Sequence, residues 1–276
     1  EIWITFNAWF DSDETYKRFV VRPPKDAMVV RMSWRDNPFF PEVLKKEMEE
    51  LRETDQEAYN HVYEGNPRSS VVGAIYAAEI AKAEKENRFT RVPCDHTKPV
   101  DTFWDLGYGD MVSIWFAQAI GFEFRIIDYY ENTHQALDHY LQILQARGYT
   151  YGTAVLPWDG GARALGSGRS IEELMRAKGF KTRVLPQWKV ADGINAVRTI
   201  FPQCYFDADK CEIGIRGLRR YQWGKESALG VAKREPLHDN SSHPADALRS
   251  LAVFIKAPKT AVKPAEPARV PASAWS

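Results

Sequence analysis

Asp105, Asp159 and Asp246 are the side chains whose surroundings point to chemistry. Asp105 closes the apolar run Val100-Asp101-Thr102-Phe103-Trp104, and Leu106-Gly107-Tyr108-Gly109-Asp110 turns the chain into a second apolar run at residues 111–117. An aspartate is depleted inside strands and costly to bury unless it is paired or binds a metal. Asp159 follows the short apolar run 153–156 and Pro157-Trp158, directly before Gly160-Gly161, and Asp246 falls in the first turn of a helix expected over 243–255. If the strands ending in Asp105 and Asp159 are parallel neighbours, both carboxylates emerge at one sheet edge, and a helix across that edge supplies the third. Carboxylates so close repel one another unless Mg2+ or Mn2+ neutralises them. A pair of such ions is what two-metal phosphodiester cleavage requires. The alternative is structural: Asp105 caps a turn, Asp159 is a turn residue, and Asp246 is a helix-start acid favoured by the dipole.

The elements that must position these acids follow from periodicity. Residues 1–6, 16–22 and 28–34 pattern as strands, with Pro23-Pro24 marking a turn. Residues 41–63 turn helical, with Val43, Leu44, Met48 and Leu51 on one face and Lys/Glu pairs opposite. A short charged helix is expected over 75–86, and residues 87–99 read as a connection. The strand ending in Asp105, the run from Met111 and residues 123–131 form three antiparallel strands. Thereafter helices at 134–147, 171–178, 190–201, 213–221 and 243–255 alternate with strands at 153–156 and 182–185 and an edge strand at 204–206. This order gives an α/β or α+β sheet covered by helices. Beyond Ala257 the Pro/Ala/Lys composition predicts a disordered tail.

Lys+Arg and Asp+Glu balance at 37 each, so no global positive field announces nucleic acid and any such surface must be a local patch. Cys94, Cys204 and Cys211 are too few and too scattered for a disulfide framework or a zinc site. No apolar run approaches the ~20 residues of a membrane span, and no signal peptide is recognisable, so a soluble intracellular protein is expected. The chain opens at Glu1, inside a strand-like run, which suggests a longer protein whose front part precedes it.

Several separated motifs resemble the nuclease domain of tailed-phage terminase large subunits. They are Phe103-Trp104-Asp105-Leu106-Gly107, Leu156-Pro157-Trp158-Asp159, Gly166-Ser167-Gly168-Arg169-Ser170 and the run from His238 through Asp246 to Arg249. Trp3-Ile4-Thr5-Phe6-Asn7 and Trp34-Arg35-Asp36-Asn37-Pro38-Phe39 resemble the end of the packaging ATPase and its linker, although Ala8 stands where the family often has Pro. The resemblance implies residues 1–40 as the end of the ATPase domain, 41–98 as a helical linker and 99–256 as an RNase H-like nuclease domain with a mixed central sheet flanked by helices. It implies an endonuclease that cuts concatemeric double-stranded DNA at the start and end of genome packaging, using Mg2+ or Mn2+, with two ions expected. The metal-binding acids carry over to Asp105, Asp159 and Asp246, with Asp110 auxiliary. Trp158 departs from relatives that carry His there. Implied partners are the ATPase domain of the same protein, the portal protein and the small terminase subunit, in the host cytoplasm and transiently at the procapsid portal. No G-x-x-x-x-G-K-[ST] phosphate loop occurs in these residues, so ATP hydrolysis by this chain alone is not expected.

Other residues carry two readings each. His243 orients a ligand or contacts a phosphate, or is a satisfied helix-start residue; His238 and Asp239 rim the site or are loop residues. Arg163, Arg169, Arg183, Lys189, Arg216, Arg219 and Arg220, among Tyr221 and Trp223, read as a DNA backbone surface or as scattered solvated charge. Trp104, Trp115, Phe116 and Phe124 read as core. Two other classes remain open: another RNase H-like enzyme, such as a junction resolvase or transposase, and a non-catalytic docking module for portal or small subunit.

Overall fold

The computed structural model describes residues 2–10, 13–67, 73–107, 111–163, 168–224 and 235–256. Asp110, part of the Gly166–Ser170 motif and the tail expected beyond Ala257 lie outside the described residues. In chain order the elements are α1 (Glu14–Tyr16), α2 (Glu42–Thr54), α3 (Gln56–Val62), α4 (Ala77–Lys85), β1 (Phe89–Thr90), β2 (Val100–Asp105), β3 (Met111–Ile120) and β4 (Glu123–Thr133). They continue as α5 (Leu137–Arg147), β5 (Tyr151–Leu156), α6 (Ile171–Ala177), β6 (Lys181–Val184), α7 (Val190–Ile200), β7 (Cys204–Asp207), α8 (Glu212–Arg220) and α9 (Ser242–Lys256).

A seven-stranded mixed sheet organises the chain, in the order β1-β7-β4-β3-β2-β5-β6. β3 pairs antiparallel with both β2 and β4, while β5 runs parallel to β2 and β6 parallel to β5. β3 reads as an unbroken apolar run because it is the middle strand, buried on both faces from Val112 to Gln118. Side-chain alternation splits the core in two. Phe103 and its cross-strand partner Trp115 face α7, α8 and α9, whereas Trp104 and its partner Ile114 face α5 and α6. Trp104, Trp115 and Phe116 are fully buried, as their pattern predicts, and Phe124 packs partly buried at the margin.

α9 is the element that matters most for the site, and its position is over-determined. The Trp115 Nε1–H donates to the Pro244 carbonyl at 2.8 Å, and the Ser250 hydroxyl donates to the Trp104 carbonyl at 3.2 Å. α8 lies close enough that a Cβ on Gly217 would sit 2.3 Å from Pro244 Cγ, so only glycine admits this approach. Three contacts from three elements thus hold the first turns of α9 against the ends of β2 and β3.

Three expectations are corrected. Among the described residues, 2–36 contain no strand: residues 17–21 coil into a π-helical turn after α1, and Trp34–Asp36 is a 3-10 turn. Runs with strand composition form ladders only when a neighbouring strand supplies hydrogen bonds, and here Ile2, Trp3, Met28 and Met32 stand exposed instead. The strand at 204–206 is not at the edge; β7 is enclosed by β4 and β1. β1 takes that edge inside the stretch read as a connection, and two residues are too few to show a period.

Candidate active site

β2 and β5 are parallel neighbours, with Phe103 opposite Val155, so both deliver their carboxyl ends to the same side of the sheet. Asp105 is the last residue of β2, and Asp159 sits in the 3-10 turn Trp158–Gly161 that follows β5. That turn packs tightly: a Cβ on Gly160 would lie 2.9 Å from Leu156 Cβ and 3.2 Å from Leu106 Cδ1. Asp246 projects from the first turns of α9. All three acids line one cleft of ≈ 270 Å3, together with Trp158, Trp188 and Lys189.

The electrostatics tie the three together. Burial pushes the Asp159 carboxyl above its usual range, its own and the Gly160 backbone N–H oppose this, and the Asp105 charge adds to the rise. Burial pushes Asp246 up to about 6 against the pull of Arg249, and the charge on Asp105 again raises it. Each carboxylate therefore senses the same neighbour. Partners from α9 relieve part of the repulsion. The His243 Nδ1–H donates to Asp105 Oδ2 at 2.9 Å, and its side chain is only 6 % exposed. Arg249 Nη2 stands 2.8 Å from Asp246 Oδ1 while its Nη1 donates to the Tyr221 hydroxyl at 3.0 Å. His243, Asp246 and Arg249 follow one another at i, i+3 spacing and so share one helix face.

A divalent cation is tested by these donors. Three carboxylates are the hard oxygen ligands that Mg2+ and Mn2+ take. Asp246 Oδ1 is buried without a well-aligned hydrogen bond, its Arg249 contact being an off-axis ion pair. The donor set therefore fits such an ion, although among the described residues no three acidic, His or Cys side chains stand close enough to form a closed ligand group.

Glu131 is a further acid that sequence reasoning passed over. Ser113 pairs with Asp105 on one side and with Glu131 on the other, so the three occupy one rung and one face of the sheet. The Tyr129 hydroxyl donates to Glu131 Oε2 at 2.5 Å and lies 2.9 Å from Ser113 Oγ. The alternation of residues 123–131 carried the signal, but only the strand register places Glu131 beside Asp105. Arg249, Tyr221 and Trp188 also gain their relevance from tertiary placement alone.

The remaining expected site residues separate. Lys189 lines the cleft. His238 stacks edge-on against His243, with ring centroids 5.6 Å apart. The Asp239 carboxylate accepts from the backbone N–H and hydroxyl of Ser241, so it shapes the turn before α9 and does not line the cleft. Arg163 stands 3.7 Å from Glu173, Arg169 precedes the capping residue of α6, and Arg183 lies over the Phe254 ring. On α8, Arg219 bonds Glu84 at 2.9 Å and Arg220 pairs with Asp13 at 3.6 Å while covering Phe10. Arg216 and Arg219 border a second cavity away from the acids. The basic face of α8 is thus largely engaged with the preceding part of the chain, and Tyr221 and Trp223 are buried or packed on the core.

Residues 1–66 match the family model described as phage terminase large subunit. No curated protein matches the chain. Among solved structures, the large terminase of a thermophilic bacteriophage aligns at 17% identity and a TM-score of 0.52, covering 82% of this chain and 55% of that one. The same terminase in complex with ADP aligns at 18% identity and a TM-score of 0.53, covering 77% and 52%. The P22 large terminase nuclease domain aligns at 13% identity and a TM-score of 0.50, covering 62% and 89%. The chain spans about half the length of the full large terminases it matches. Its first 66 residues thus match the terminase large subunit family, and its sheet carries the RNase H-like fold of terminase nuclease domains.

Proposed function

We propose that this chain holds the nuclease of a phage DNA-packaging terminase, a metal-dependent endonuclease that cuts concatemeric double-stranded DNA when packaging starts and ends. The observation that carries this reading is the shared cleft: carboxylates from the end of β2, from the turn after β5 and from α9 face one space in a terminase-like fold. Asp105, Asp159 and Asp246 would hold Mg2+ or Mn2+, two ions on this reading. Such ions, when bound, supply Lewis-acid activation and neutralise developing charge on a phosphodiester. The chain's own groups prepare the site. His243 fixes the orientation of Asp105, Arg249 keeps Asp246 charged within its buried setting, and Lys189 stands ready for a backbone phosphate. Asp110 belongs to the proposal as an auxiliary acid.

The ATPase domain of the same protein, the portal and the small subunit are the partners this reading names, and the host cytoplasm is its location. The domain division at about residues 40, 98 and 256 is part of the same proposal. A second reading has one observation in its favour: His243 hydrogen-bonds Asp105 and Arg249 pairs with Asp246, so two of the acids already have partners, as a structural, non-catalytic cluster requires. Supercoiled plasmid incubated with Mn2+, Mg2+ or EDTA separates the two. The nuclease reading expects nicking with either metal, none with EDTA and none in Asp159→Ala. Cutting in EDTA, or by Asp159→Ala at the wild-type rate, would overturn it.

A further inference from the structure

Trp104 and Trp115 are fully buried within the sheet, and Trp223 packs against the core. Trp158 and Trp188 depart from this, at 54% and 36% exposed, and both line the cleft that holds the three acids. Leaving two indoles partly in water forgoes a large hydrophobic gain, because tryptophan normally buries most of its surface. Their positions in the chain differ. Trp158 lies between Pro157 and Asp159 in the turn that Gly160 packs against Leu156 and Leu106. Trp188 precedes Lys189, the residue that caps α7. Both indoles thus stand partly open to the cleft, Trp158 on a tightly packed turn and Trp188 at the start of α7.

An open indole face offers a base one thing, a stacking surface. Bases in a paired duplex already use both faces on their neighbours, whereas an unpaired base has a face to give, and stacking on an aromatic side chain holds it without reading its identity. Lys189 in the same cleft suits a phosphate of the strand that carries such a base, and the three carboxylates would address it through a divalent cation. We infer that Trp158 and Trp188 receive an unstacked base beside the phosphate addressed by Asp105, Asp159 and Asp246, so that the cleft prefers duplex DNA with a few unpaired nucleotides over fully paired duplex. This rests on the nuclease reading for the identity of the ligand, and it adds the structural state of the DNA.

Binding by the full chain is measured by fluorescence anisotropy on two labelled duplexes, one fully paired and one with a central bulge of thymidines. Ca2+ replaces Mg2+ so that the readout is affinity and not cutting. The wild type is expected to bind the bulged duplex about tenfold more tightly, the gain of stacking roughly one base. The double variant Trp158→Ala, Trp188→Ala is expected to bind both duplexes about equally. Trp158→Phe with Trp188→Phe, which keeps a ring at each place, is expected to retain most of the preference, and Trp3→Ala, exposed but outside the cleft, all of it. Equal binding of both duplexes by the wild type would overturn the proposal. So would an undiminished preference in the alanine variant, or the same loss in the phenylalanine and alanine variants. A chain that nicks no plasmid yet shows the tryptophan-dependent preference would refute the nuclease reading and leave this inference standing as binding.

Discussion

At the scale of residues, the site is a set of buried charges that solve one another's problem. Asp246 is raised to about 6 chiefly by burial, and Arg249 is what keeps it from rising further. Removing the cation leaves a carboxylate in a poorly solvated place without a partner, so Arg249→Met is expected to lower stability by about 2–3 kcal/mol in urea unfolding. His243 stands to Asp105 as a positioning group. On the proposed function, His243→Ala is expected to reduce metal-dependent nicking about 10–100-fold and to raise the metal concentration needed, because partners that orient ligating groups have effects of that size. Unchanged metal dependence would make its contact with Asp105 structural only. Asp105 and Asp159 stood out in sequence because each follows an apolar run, where an acid is out of place, whereas Asp246, a helix-start acid the dipole favours, stood out only because its helix could cross their sheet edge. Glu131 did not, since nothing within 123–131 says which residue of another strand will stand opposite.

At the scale of elements, the geometry of the site is the geometry of α9 on β2 and β3. Gly217→Ala would drive a methyl group into the Pro244 ring, a rigid neighbour that can yield only if the start of α9 moves. A cost of about 1–3 kcal/mol is expected in thermal unfolding, and nicking should fall with it because His243 and Asp246 ride on the displaced turn. Trp115→Phe keeps the ring in the core but removes the donor to the Pro244 carbonyl. It is expected to cost about 1–2 kcal/mol, measured by the same unfolding. The parallel pairing of the Asp105 and Asp159 strands stood in the sequence only as a condition, because β3, β4 and α5 intervene and nothing local says that β5 returns beside β2. The first 36 residues were misread for the opposite reason. Their β-branched and aromatic composition describes a surface that fits a sheet, and among the described residues no sheet strand is beside them.

At the scale of the whole molecule, the chain is a sheet with its helices and a preceding helical segment stitched to it. The Ile75 backbone N–H donates to the Tyr221 carbonyl, Arg220 reaches Asp13, and Lys17 pairs with Glu212. The preceding segment carries its own acid-sensitive tie. Hydrogen bonds from Arg35, Tyr59 and Trp34 hold the Glu64 carboxyl at about 2, below its ordinary 4.5. A depressed carboxyl contributes stability that is fully present above pH 4.5 and is lost as pH falls towards 2. Acid titration followed by tryptophan fluorescence should therefore show a change in that window that is lost in Trp34→Phe, with Glu64→Gln removing this part of the pH dependence and not merely lowering stability. The account as a whole turns on whether the cleft between β2, β5 and α9 receives divalent metal. The most direct measurement is a crystal soaked in Mn2+ and recorded at the manganese absorption edge. Anomalous peaks bonded to Asp105, Asp159 and Asp246, and lost in Asp159→Asn, are the predicted result. A cleft without manganese, or manganese bound only elsewhere on the chain, would contradict it.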